Sequence, residues 1–152
     1  MILVSSCLAG LEVRYNSKHS LDKRIRKLVA ENQAITICPE LLGGFSTPRE
    51  PAEILGGEGE NVLDGKAKVI NRCGEDVTSL YLKGAYATLE TAKDINATIV
   101  ILKENSPSCG STKIDNGEFK GEKIPGNEVT SALLKRNGFR VISEEQFVEN
   151  IL

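Results

Sequence analysis

Cys7, Cys38 and Cys109 have the most reactive side chains in this sequence, and one rule describes where they stand. Each follows a short apolar run of strand character, at once or after a few loop residues: Cys7 in Ser5-Ser6-Cys7-Leu8-Ala9-Gly10, Cys38 in Cys38-Pro39-Glu40-Leu41-Leu42-Gly43-Gly44, and Cys109 in Ser106-Pro107-Ser108-Cys109-Gly110. Val-, Ile- and Leu-rich runs between helical patterns point to a parallel sheet, and such sheets carry their sites beyond the carboxyl ends of their strands. Three thiols placed this way are expected to meet at one edge of the sheet.

Three thiolates are one fewer than a closed structural zinc or iron site takes, and a site short of one protein ligand keeps a position open for catalysis. The ligands are dispersed rather than paired as Cys-x-x-Cys, which argues against a zinc ribbon. All-sulfur ligation suits zinc, copper(I) or an iron–sulfur cluster. A cubane bridges the gaps between three separate loops more readily than one ion does, so a [4Fe–4S] cluster held by Cys7, Cys38 and Cys109, with one iron lacking a protein ligand, is the favoured reading. Two others stay open: a three-thiolate zinc or copper module, and a thiol nucleophile in which Cys109 or Cys38 forms a persulfide. Cys73, in Asn71-Arg72-Cys73-Gly74, has no site motif around it and reads as an inert small residue. Cysteine–histidine catalysis has little to stand on, because His19 is the sole histidine and falls in a polar loop.

The elements that must position these groups follow from periodicity. Residues 2–6 form a first buried strand. Leu21, Ile25, Leu28 and Val29 mark one face of a helix whose other face, with Lys23, Arg24, Arg26 and Lys27, is basic and solvated. Ala34 to Ile37 make the second strand. From Pro39 to Glu60 the glycine and proline content predicts a long functional loop, and Asp64-Gly65 predicts a small hairpin over 62–70. Asp76 is expected to cap a helix whose small residues allow close contact with the sheet. Thr98 to Leu102 form a third central strand, 111–126 a polar loop turning at Asn116-Gly117, and Asn127 the cap of a helix ending before Gly138. Phe139 to Ile142 make a last strand, and Ser143-Glu144-Glu145-Gln146 is a capping box opening a terminal helix. The expected fold is a three-layer, Rossmann-like α/β domain over residues 1–152, with a mostly parallel sheet, right-handed crossovers and a small edge hairpin. Its first strand lies between the second and third.

Composition narrows the function classes. The formal net charge is −2, so nothing broad attracts nucleic acid or an anionic membrane. No apolar run approaches the ~20 residues of a membrane span, and the start lacks a basic signal-peptide region. A cytosolic, reducing location is expected, where four cysteines point to metal or catalysis before disulfides. The glycine pairs lack the Lys-Ser/Thr of a phosphate loop and read as turns.

Taken together, Ser5-Ser6-Cys7-Leu8-Ala9-Gly10, Val13-Arg14-Tyr15, Cys38-Pro39-Glu40 with Gly44 and Pro48-Arg49, Gly74-Glu75-Asp76-Val77-Thr78, and Leu102-Lys103-Glu104-Asn105-Ser106-Pro107-Ser108-Cys109-Gly110 resemble the TudS-like thiouracil desulfidase family, long catalogued as a domain of unknown function. The resemblance covers almost the whole chain in the same order. It implies a [4Fe–4S] enzyme that removes sulfur from 2-thiouracil without net redox chemistry, acting on a small thiolated nucleobase. The chain departs from the family pattern at Asn16-Ser17, where Asp-Gly is usual, and at Glu128, where Gly is usual. Both departures bear on substrate range more than on cluster binding. Desulfuration of 4-thiouridine in tRNA is a further alternative, disfavoured by the net charge and by the additional domain such relatives carry.

On that reading the substrate sulfur binds the open iron, water attacks its carbon, and Glu40, two residues from a ligand, is the expected general base or acid. Capping the turn that follows is the plainer role for Glu40. Ser106 and Ser108 are expected to hydrogen-bond the substrate, or to support the cluster sulfur. Arg49 is expected to hold Glu40 or Glu50, or to stitch the long loop.

Overall fold

The computed structural model describes residues 1–14, 16 and 20–147. Tyr15, Ser17, His19 and the expected terminal helix lie outside them. Four strands, β1 (Ile2–Ser5), β2 (Ala34–Ile37), β5 (Ile99–Leu102) and β8 (Val141–Ser143), form one parallel sheet in the order β2-β1-β5-β8. The first strand thus lies between the second and third, as the alternation of strands and helices predicts.

Helices cover both faces of this sheet, and for that reason its strands are mostly apolar, with β1 and β5 buried along their whole length. Ile2, Val4, Ile99, Ile101 and Ile142 point to one layer, where they meet Ile25 and Leu28 of α1 (Lys23–Ala30). Leu3, Val100, Leu102 and Val141 point to the other, beneath α4 (Thr78–Asp94) and α5 (Val129–Arg136). Helix α1 starts where Asp22 accepts the Arg24 N–H at 3.0 Å, an N-cap that the basic face left open to water does not supply. At the head of α4 the cap position falls to Val77 rather than to the expected Asp76, which lies one residue earlier and still accepts from the Thr78 N–H at 3.0 Å.

Several local expectations are corrected. The stretch from Pro39 to Glu60 is not one loop. It contains a single-turn helix α2 (Pro39–Leu42), the strand β3 (Ala52–Leu55) and the start of α3 (Gly59–Leu63). Asp64-Gly65 turns no hairpin: it ends α3, with Gly65 at φ 77°, because the left-handed residue a hairpin turn needs is also what a helix C-terminus takes. The antiparallel hairpin pairs β3 instead with β4 (Lys68–Asn71), in a separate two-stranded sheet. Within 111–126 a second hairpin, β6 (Lys113–Asp115) with β7 (Lys123–Pro125), replaces the expected loop, and Asn116-Gly117 lies in its turn. Asn127 does not cap α5. Glu128 occupies that position, while the Asn127 amide donates to Glu60 at 3.1 Å. The capping box does form, with the Ser143 N–H on Gln146 Oε1 at 3.0 Å and the Gln146 N–H on Ser143 Oγ at 3.2 Å. No helix among the described residues is long and apolar enough to cross a membrane.

Ala85 and Ala92 of α4 are buried in one core with Leu3 and Val100 of the sheet, while Gly84 serves a second contact. A Cβ at Gly84 would lie 2.0 Å from the Pro39 carbonyl oxygen, so the bare backbone of α4 presses directly on α2. Gly84→Ala is therefore expected to destabilise the protein by about 1–3 kcal/mol, read from urea unfolding. It should also displace α2 and the residues that flank it.

Candidate functional site

Strand topology decides where the cysteines go. Parallel neighbours β2, β1 and β5 all end at the same edge. Cys7 lies in the 3-10 turn Ser6–Ala9 directly after β1, Cys38 is the residue between β2 and α2, and Cys109 follows the loop that leaves β5. All three line one cavity, which encloses, mouth included, about 420 Å³. They are free thiols, and their electrostatic fields overlap: a thiolate at Cys7 or Cys38 acts on Cys109. Cys73 is exposed and lines no part of this cavity.

Backbone contacts fix each cysteine. The Ser20 and Gly10 N–H groups donate to the Cys7 carbonyl at 2.9 and 3.2 Å. Pro39 follows Cys38 at the first helical position, where its missing N–H costs nothing. The start of α5 clamps the Cys109 loop: Glu128 N–H donates to Gly110 O (2.8 Å), Thr130 N–H to Ser108 O (3.0 Å) and Ser131 Oγ to Cys109 O (2.5 Å). None of these α5 residues carries a sequence signal for the role, since the contact arises from the packing of one element on another's loop.

Burial sets the thiol chemistry. Desolvation pushes the Cys7 thiol up to about 11, with the Arg14 charge opposing it. Burial raises Cys38 as well, against backbone N–H groups at the start of α2, and raises Cys109 furthest, against its contact with Ser108. Without metal these groups are protonated at neutral pH, and ligation must expel their protons. In metal-free, reduced protein at pH 8, iodoacetamide is expected to label exposed Cys73 well before Cys7 and Cys109, with Cys7 labelling faster as the pH climbs toward 11. Mass spectrometry of the labelled peptides reads the order, and equal rates at pH 8 would contradict the closed cavity.

Glu40 is buried in the same cavity and is not a turn cap. Arg49 Nε pairs with its Oε2, and Ser108 Oγ donates to its Oε1 at 3.2 Å. Ser108 Oγ also lies 3.4 Å from Cys109 Sγ, so one hydroxyl links carboxylate to thiol. Arg49 takes two of its expected roles at once. Besides holding Glu40, it donates to Ser46 O and Thr47 Oγ1 at 3.2 Å each, and to Val13 O at 2.9 Å, which stitches the long connection to the first loop. Ser106 lines the cavity, and its hydroxyl makes no hydrogen bond to another described residue. All six residues expected at the site are thus brought to one cavity. Lys103 and Arg14, not singled out from sequence for the site, line it too.

The donor set fits a cubane. Three soft thiols on three separate loops face one hollow, while no three His, Cys, Asp or Glu side chains among the described residues are placed to hold a single metal ion. Cys7, Cys38 and Cys109 would hold a cubane, which does not require its three thiolates to converge on a single ion.

Fold and cavity together define a parallel-sheet α/β protein with three thiols gathered over its carboxyl edge. The family model for 2-thiouracil desulfurase matches residues 2–146, and the chain belongs to that family. It is similar to YbbK of Bacillus subtilis (strain 168), an uncharacterised protein, with 65% identity over 146 residues that make up 96% of this chain and 97% of the relative. It is also similar to the solved structure of TudS, a [4Fe–4S]-dependent thiouracil desulfidase, with a TM-score of 0.84, 40% identity, and coverage of 96% of this chain and 91% of that one.

Proposed function

We propose that this protein is a [4Fe–4S]-dependent desulfidase that converts a small thiolated nucleobase, 2-thiouracil, into uracil and sulfide. The observation that carries this reading is the meeting of Cys7, Cys38 and Cys109 in one cavity with the buried, doubly held carboxylate of Glu40. The overall change is hydrolytic: the oxygen of water replaces sulfur on the ring carbon, hydrogen sulfide carries off two protons, and no electron is gained or lost. When bound to the three cysteines, the cluster supplies a soft Lewis acid with one iron left open to the substrate sulfur.

The chain's own groups do the rest. Glu40, oriented by Arg49, accepts the proton of the attacking water, and Ser108 bridges that carboxylate to the metal-site sulfur. As an acceptor-only group fixed on both oxygens, the carboxylate needs little reorganisation when the proton arrives. Ser106, whose hydroxyl is uncommitted, hydrogen-bonds a ring nitrogen. The reducing interior of a cell, which the thiols need, is part of the same proposal.

The test is anaerobic reconstitution with iron and sulfide, incubation with 2-thiouracil, and detection of uracil and sulfide in equal amounts. A brown, loaded protein that yields neither product would refute the reading.

A further inference from the structure

Arg14 carries the cationic charge at this cavity that the described chain leaves unanswered. The other two cations lining the cavity are committed. Arg49 uses all three of its nitrogens, on Glu40, Ser46, Thr47 and Val13, and Lys103 Nζ donates to Glu104 O at 2.7 Å and Glu144 Oε1 at 2.9 Å. Arg14 lines the same wall, half-buried, and its charge acts on the Cys7 sulfur. Among the described residues no carboxylate, carbonyl or hydroxyl accepts from it. A guanidinium presents five donors in a rigid plane, and its natural counterpart is a planar oxygen-bearing group.

We propose that Arg14 is the substrate-positioning residue of this enzyme, donating to the exocyclic ring oxygen of the thiopyrimidine. The inference rests on the desulfidase reading and deepens it. In 2-thiouracil the sulfur and the oxygen flank the same ring nitrogen, so a donor beside the seat of the sulfur also reaches the oxygen. Arg14 lines the one cavity that Cys7, Cys38 and Cys109 share, and so stands beside that seat. A charged donor on the oxygen fixes the ring in its plane and presents the carbon–sulfur bond toward Glu40. A cation that served only to offset thiolate charge would act on every sulfur ligand alike. Recognition of the oxygen acts on ligands that have one.

That difference is the basis of the test. Wild type, Arg14→Gln and Arg14→Lys are reconstituted anaerobically, matched for iron and acid-labile sulfide, and titrated calorimetrically with 2-thiouracil and with 2-thiopyrimidine, which keeps ring and sulfur but lacks the oxygen. Arg14→Gln is expected to weaken 2-thiouracil binding by about tenfold or more, the loss of a charged hydrogen bond, while leaving 2-thiopyrimidine binding unchanged. Arg14→Lys should fall between the two. In turnover the defect appears in KM before kcat. Equal weakening of both ligands, or of neither, overturns the proposal, and so does loss of iron from both variants, which would make Arg14 a support of the metal site. A wild type that releases no uracil refutes the desulfidase reading instead; a wild type that turns over, beside an Arg14→Gln enzyme with full discrimination, refutes the role of Arg14 alone.

Discussion

Glu40→Gln is expected to lower kcat about 10²–10⁴-fold while leaving iron content, visible absorption and the unfolding midpoint close to those of the parent, the range that loss of a positioned general base commands. Glutamine keeps the shape: its single carbonyl oxygen can still accept from Arg49, and its amide N–H can donate to the Ser108 hydroxyl, which turns to accept. It cannot take a proton from water. The control is Glu40→Ala, which leaves the buried Arg49 guanidinium without its partner and should cost about 3–5 kcal/mol of stability besides activity. A Gln enzyme that turns over at the parental rate would remove Glu40 from the chemistry. A Gln enzyme that fails to load iron would make it a support of the metal site.

The second large effect concerns the thiols. Cys7→Ser, Cys38→Ser and Cys109→Ser are each expected to abolish stable iron loading and turnover, because a hydroxyl is a poor ligand for soft metals and no fourth thiol among the described residues lines the cavity to take its place. Cys73→Ser should match the parent in both respects, since its side chain is exposed and outside the cavity. Iron and sulfide analysis with the visible spectrum decides the matter. Full loading in all three cavity variants would end the three-ligand assignment. Selective loss of activity with iron retained in one variant would point to that cysteine as a nucleophile.

The placement of the cysteines was legible because one regularity governs it. A buried parallel strand is an unbroken apolar run, its carboxyl end is where the run stops, and Cys7 and Cys38 follow within two residues. The central place of β1 between β2 and β5 followed from the alternation of strands and helices, whereas the place of β8 at the edge did not. What sequence reading missed lies where one signal serves two structures. Asp64-Gly65 suits a helix end as well as a hairpin, and the Pro/Gly punctuation of 39–60 conceals a four-residue helix and a four-residue strand, both too short to show a period. Asn127 is a good capping residue, yet Glu128 takes the cap position, with Asn127 and Lys135 paired at 2.6 Å nearby. At the site, Glu40 stood out through its nearness to Cys38. Its pairing with Arg49 was one of several options until the fold brought the nine-residue connection back on itself. The hold of Ser131 on the Cys109 carbonyl was not visible at all, because 22 positions separate the two and neither motif implies the other.

Each sulfur of the trio comes from a different strand end, and no two of them are neighbours in sequence. The full trio therefore cannot exist on a fragment that ends before Cys109 or begins after Cys7. A piece ending before residue 38 carries one of these thiols and a piece ending before 109 carries two, so on the three-ligand proposal colour on reconstitution would report that β1, β2 and β5 have all come together. Mixing two complementary fragments and watching for brown absorbance would make the inorganic core a visible gauge of how the backbone assembles.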